Sequence, residues 1–113
     1  MLRTQPQLGA AAWRTYIMVG IGDDDTADCV AEDEFDSEQA ARAWVEHQLP
    51  VAQLPDWVLD RPHGGAGAFL YGSITRGIYT HQGRSGVAWE PDADDPVDLD
   101  ADLIEGDVRW SWS

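Results

Sequence analysis

The sequence predicts an α+β fold of two layers: a mainly antiparallel sheet of about five strands in the order ββα-loop-βββ, with one main helix packed on one face. Three observations predict it. Residues 13–21 alternate with the period of two that a strand imposes, residues 36–49 carry a capped amphipathic helical pattern, and residues 68–90 return to period two around a Gly-containing turn.

Residues 1–12 are polar, with Pro6 and Gly9, and are expected to form a flexible N-terminal arm ahead of a single domain over 13–113. From Trp13 to Ile21, Trp13, Thr15, Ile17, Val19 and Ile21 share one face, and Tyr16 and Met18 take the other. Gly22-Asp23-Asp24-Asp25 is turn chemistry, and Asp28 to Phe35 then pairs back as a hairpin. Asp36 is the expected N-cap, with Gln39 at capping-box spacing and Phe35 placed to staple the first turn. Ala41, Trp44, Val45, Gln48 and Leu49 form one helical face; Glu38, Arg42 and Glu46 stand opposite at i,i+4 spacing, and Pro50 ends the pattern.

Residues 50–67 are an irregular connection in which Trp57-Val58-Leu59 supply a short apolar anchor. Ala68 to Thr80 is a long strand with Leu70, Ile74 and Ile78 on one face and Phe69, Tyr71 and Tyr79 on the other; Gly72 and Gly77 mark bends or bulges. After the turn over 81–86, Val87 to Glu90 returns as a strand. Residues 91–107 are expected to be an acidic loop in which Leu99, Leu103 and Ile104 anchor a helical turn, and Val108 to Ser113 forms the last strand.

With 113 residues, 43% of them hydrophobic, and six Trp, the chain can bury one core without staples. Cys29 is the only cysteine, so no internal disulfide is possible; its strand context predicts a small buried hydrophobe and a reducing, cytoplasmic compartment. No run approaches the ~20 apolar residues of a membrane helix, and residues 1–12 lack a signal-peptide core. The sequence has no Lys and no Asn, whose codons are rich in A and T, which points to a GC-rich bacterial or archaeal genome.

The net charge of −14 excludes nucleic acid and anionic membrane as direct partners and would steer a basic protein or a small cation inward. The charge is unevenly spread. Between Arg61 and Trp89 there is no Asp or Glu, while Arg61, His63, Arg76, His81 and Arg84 are present. Arg61, His63, Arg76 and Arg84, near the run Gly64-Gly65-Ala66-Gly67, are therefore the candidate anion site; the competing account is that these arginines neutralise the acidic shell through internal pairs. The candidate partner surface is Trp89, Asp94, Asp95, Asp98, Trp110 and Trp112, aromatics supplying anchors and carboxylates supplying steering.

The motifs of catalysis are missing. No Gly-x-Ser-x-Gly follows the glycine run, a phosphate loop of the Walker type needs a Lys, and His47, His63 and His81 are too scattered for a zinc pattern. Asp98-x-Asp100-x-Asp102 opens like a calcium loop, but Leu103 stands where Gly is needed and Arg109 where the closing Glu belongs. No catalytic residue, metal ligand or cofactor is nominated, and an enzyme is the lesser expectation. The leading expectation is a non-catalytic interaction or inhibitor protein docking a basic protein, as bacterial immunity proteins do, an analogy of charge and size alone. The alternative is a small-molecule module, holding a cation on carboxylates and Trp or an anion on Arg61, Arg76 and Arg84. A monomer and a homodimer are both compatible with the pattern.

Overall fold

The structure, a computed structural model, describes residues 8–21, 26–60, 67–81, 86–94 and 97–112. Strand β1 (Ala11–Ile21) follows the predicted alternation and pairs antiparallel with β2 (Thr26–Phe35). The predicted arm therefore ends earlier than residue 12. Ala11 and Ala12 are already in the sheet, and Gly9 N–H donates to the Tyr79 carbonyl at 2.8 Å. Between Ile17 and Met18 the register shifts: Ile17 lies opposite Ala31 and Met18 opposite Cys29, so Val30 is the extra residue of a bulge.

Helix α1 (Glu38–Gln48) is capped by Ser37, not by the expected Asp36. Ser37 has extended φ −146° and ψ 151°, and its Oγ accepts from the Ala40 N–H at 3.2 Å. The helix thus starts one residue later, which moves Gln39 out of box position. Phe35 still packs on Trp44, ring centres 6.3 Å apart. The helix passes into a 3₁₀ turn, Leu49–Val51, where Pro50 occupies a first-turn position that needs no N–H. The apolar anchor at 57–59 is a one-turn helix, α2 (Asp56–Leu59), which buries Val58.

Strand β3 (Ala68–His81) is the hub of the sheet. One edge pairs with β1 from Ala68 to Ile78; the other pairs with β4 (Val87–Pro91) over 77–81 and with β5 (Asp98–Ile104) over 71–75. Strand β6 (Asp107–Trp112) completes the six-stranded antiparallel sheet, ordered β2-β1-β3-β5-β6 with β4 on β3. β4 and β5 are thus collinear, and the chain leaves one and joins the other beside Arg76. There Asp92 N–H donates to the Arg76 carbonyl at 3.1 Å and Arg76 N–H donates to the Val97 carbonyl at 3.0 Å.

The acidic segment expected to be a loop contains β5, and this raises the strand count from about five to six. Asp98-Leu99-Asp100-Ala101-Asp102-Leu103 alternates acid and apolar residue without a break, so Leu99 and Ala101 face the core and all three Asp side chains face away. The turn into β6 is Glu105-Gly106, both at positive φ (53° and 85°), a two-residue hairpin of the primed kind whose twist matches its strands.

The helix covers only one face of the sheet. Ile17, Ala41, Val45, Leu49, Ile74, Leu99 and Ala101 are fully buried together, ringed by Trp13, Phe35, Trp44 and Trp110 among others; Val19, Ile21 and Val58 form a second cluster under α2. Gly72 and Gly77 mark close approach, not the expected bends. A Cβ on Gly72 would collide with Val45 of the helix, and one on Gly77 with the Trp89 indole lying across it. Gly77→Ala is accordingly expected to lower stability by about 1–3 kcal/mol in thermal unfolding, by displacing Trp89. Glu105→Asn, which relaxes a left-handed residue, is expected to raise the melting temperature by an amount worth up to ~1 kcal/mol.

Candidate functional site

The period of two that sends Ile17, Ile74 and Leu99 to the helix sends their neighbours to the opposite, open face. The register there places side chains in rows across the strands. Glu34, Arg14, Thr75 and Asp98 make one row; Glu32, Tyr16, Ser73, Asp100 and Ser111 make the next; Cys29, Met18, Tyr71, Asp102 and Arg109 make a third. Aromatic and hydroxyl side chains on β1 and β3 occupy the middle, and carboxylates on β2 and β5 stand on either side. Phe69 extends the aromatic strip, its ring centre 5.8 Å from that of Tyr71 and its edge resting over Gly20.

Ser73 is small and sits between larger neighbours, so the surface dips there. The resulting groove has a volume of about 490 Å³ and is lined by Tyr16, Met18, Tyr71, Ser73, Asp98 and Asp100. Its Asp side chains project from one strand at i,i+2 spacing, about 7 Å along the strand, which suits flanking a ligand cation more than chelating a metal ion. Among the described residues no group of three or more His, Cys, Asp or Glu is gathered closely enough to hold a metal. Tyrosine faces and a thioether beside carboxylates make an environment for an organic cation with an apolar stem.

A cross-strand network occupies the row next to that of Tyr16 and Ser73. Arg14 Nε donates to Glu34 at 3.0 Å, Tyr79 Oη donates to the other oxygen of Glu34, and the Arg14 guanidinium lies 4.5 Å above the Trp89 ring. Partial burial works against the Arg14 charge, but its bonds to Glu34 and Tyr79 prevail and hold the group above its ordinary range. Burial and then the Glu34 hydrogen bond push the Tyr79 phenol up, keeping it a donor.

Arg61, His63 and Arg84 of the anion set, and Asp95 of the partner set, lie outside the described residues, as does the Asp23-Asp24-Asp25 turn. Arg76 is on the helix-side face, where Asp92, itself buried, meets its charge and the Trp13 ring lies 5.5 Å away. All four described arginines form ion pairs, Arg14 with Glu34, Arg42 with Glu38, Arg76 with Asp92 and Arg109 with Asp107. Trp89 is on the open face and donates its Nε1–H to the Ala12 carbonyl at 3.0 Å.

Trp110 and Trp112 are on the other face: Trp110 Nε1 donates to Glu46 at 3.0 Å beneath the Arg42 guanidinium, and Trp112 is 69% exposed. Asp94 N–H donates to Asp92 Oδ1, a local turn at the β4–β5 crossing. Of the partner set, only Asp98 lines the groove. Tyr16, Met18, Tyr71, Ser73 and Asp100 were not among the sequence candidates; the signal that marks them is the acid–apolar alternation of 98–103, which makes a strand and fixes the rows. Trp13 Nε1 is buried and finds no acceptor among the described residues.

Cys29 corrects another expectation. It is exposed on the open face opposite Met18, because the bulge at Val30 turns it away from the core, and its Sγ–H donates to the Ala31 carbonyl at 3.3 Å. Burial of the sulfur and the neighbouring Glu32 push its pKa above the ordinary value, so less thiolate is present at any given pH.

Comparison of the chain with protein-family models, with curated proteins and with solved structures finds no match. No helix among the described residues is long and apolar enough to cross a membrane.

Because the thiolate is the reacting form, Cys29 is expected to be alkylated at pH 8 several-fold more slowly than an unstructured cysteine peptide, measured with iodoacetamide. Glu32→Gln should recover part of that rate.

Proposed function

We propose that this chain is a non-catalytic binding domain that docks a basic protein partner on the open face of its sheet. In this reading the groove over Ser73 receives an Arg or Lys side chain of the partner. The observation that carries the proposal is the composition of that groove: Tyr16, Met18 and Tyr71 on one side, Asp98 and Asp100 on the other. The aliphatic stem of a long basic side chain would lie along the tyrosines and the thioether, and its charged head would meet the carboxylates.

Two further features support it. A net charge of −14 accelerates encounter with a cationic surface, and the carboxylates of β2 and β5 extend the negative field beyond the groove itself. The described arginines are engaged in ion pairs, which favours a cation over an anion as the ligand. A second reading, a free organic cation as ligand, is favoured by the volume of about 490 Å³, within the range of small-molecule sites.

Titration with an arginine-rich peptide and, separately, with a small aromatic amine tests both readings. Peptide binding is expected to weaken steeply between ~0.05 and ~0.5 M salt as the charges are screened. Asp98→Asn combined with Asp100→Asn should weaken it about tenfold, equivalent to about 1.4 kcal/mol. Retention of full affinity by this double variant would remove the groove from the proposal. Binding of the amine with no preference for the peptide would favour the small-molecule reading.

A further inference from the structure

Among the described residues three strands have an unpaired edge, β2, β6 and the five-residue β4, which ends at Pro91, and they differ in how they are protected. β2 carries Asp28, Glu32, Asp33 and Glu34 and is bent by the bulge at Val30, both of which discourage another strand from adding to it. β6 reads Asp107-Val108-Arg109-Trp110-Ser111-Trp112 and is locally neutral within a strongly acidic chain. Its apolar residues Val108, Trp110 and Trp112 share the helix-side face, with Trp112 69% exposed and Val51 of the adjacent 3₁₀ turn 67% exposed. A neutral, aromatic outer strand presents a row of backbone donors and acceptors with nothing in its sequence to repel a second strand.

We propose that the chain associates with a second copy of itself by antiparallel pairing of β6 with β6. The sequence of the strand is self-complementary in one register. Directly opposite residues in an antiparallel pair share a face, so a two-fold axis perpendicular to the sheet must pass through a residue pair, not between two. Centred on Trp110, the axis sets Val108 against Trp112 of the second copy twice over, and Arg109 against Ser111 of the second copy. That builds an apolar ladder on the helix side without opposing like charges. Centred on Arg109, it would bring two guanidiniums face to face.

In the Trp110 register Asp98, Asp100 and Asp102 are set back by one strand from the seam, and Arg109 lies between them and it. The remaining obstacle is the −14 charge on each copy, which opposes approach at low ionic strength. Salt should therefore strengthen this association, the opposite of its effect on a basic partner in the groove. The two proposals are independent for that reason.

Sedimentation velocity of the full chain, in reductant so that Cys29 cannot cross-link copies, tests the inference. Between ~0.05 and ~0.5 M NaCl the mass should rise from 12.5 kDa toward twice that value. Trp112→Glu changes an exposed side chain and should stay monomeric throughout with an unaltered circular dichroism spectrum. Ile104→Glu, exposed on β5 but pointing to the open face, should dimerise like the wild type. A wild-type chain that stays monomeric at high salt would overturn the proposal. So would a Trp112→Glu variant that dimerises normally, or an Ile104→Glu variant that cannot, since the latter would place contact on the open face.

Discussion

The rest of the molecule depends on the way β3 shares its second edge between two strands. Over its 14 residues it pairs with β1 on one side, while β4 and β5 divide the other side at Arg76. A single residue serves both: its N–H holds the start of β5 through Val97, and its carbonyl holds the end of β4 through Asp92. The guanidinium of the same residue pairs with the Asp92 carboxylate, so backbone and side chain fix the crossing together. A buried ion pair of this kind adds little net stability compared with an apolar contact, because both charges lose water; its value lies in specifying one arrangement. Here it specifies the register of β5, and a slip by one residue would turn Leu99 and Ala101 to solvent and three carboxylates into the core.

That register is also what makes the open face a surface with a pattern. Asp98, Asp100 and Asp102 are outward because Leu99 and Ala101 are required under α1, and Tyr16 and Met18 are outward because Ile17 and Val19 are required under α1 and α2. The helix cannot cover both sides of a single sheet of this length. An antiparallel sheet with one solvated face normally makes that face polar. This one instead keeps Tyr16, Met18, Phe69 and Tyr71 among its carboxylates, and the groove is the consequence.

The parts of the fold legible in the sequence were those where one periodicity ran unopposed. Trp13 to Ile21 alternates cleanly, and Glu38 to Leu49 keeps its helical stripe, so both elements and both buried faces match expectation. β5 was obscured because Leu99, Leu103 and Ile104 also satisfy a helical spacing, and Pro91, Pro96 and the many Asp residues have low strand propensity. Pairing to the exposed edge of β3 overrides that propensity, and only tertiary structure supplies such an edge. The helix cap moved from Asp36 to Ser37 because both residue types cap well, and the choice is made by where β2 ends, at Phe35. Cys29 was misplaced for a similar reason: a one-residue bulge reverses the facing of everything beyond it, and no composition rule announces a bulge. Of the residues that line the groove, the sequence singled out only Asp98 as a partner contact, since the tyrosines lie on strands separated from it by up to 82 residues and meet it through the β1–β3–β5 register.

The crossing at Arg76 bears on how such a domain can diversify. The segment between Asp92 and Val97 leaves and rejoins the sheet at neighbouring groups of one residue, so its stems stay the same distance apart whatever the length of chain between them. Closing a longer excursion costs entropy that grows only with the logarithm of its length. Extra residues can thus accumulate at this point without shifting either strand, and a tether, tag or whole inserted module would find here an anchorage already prepared by the sheet.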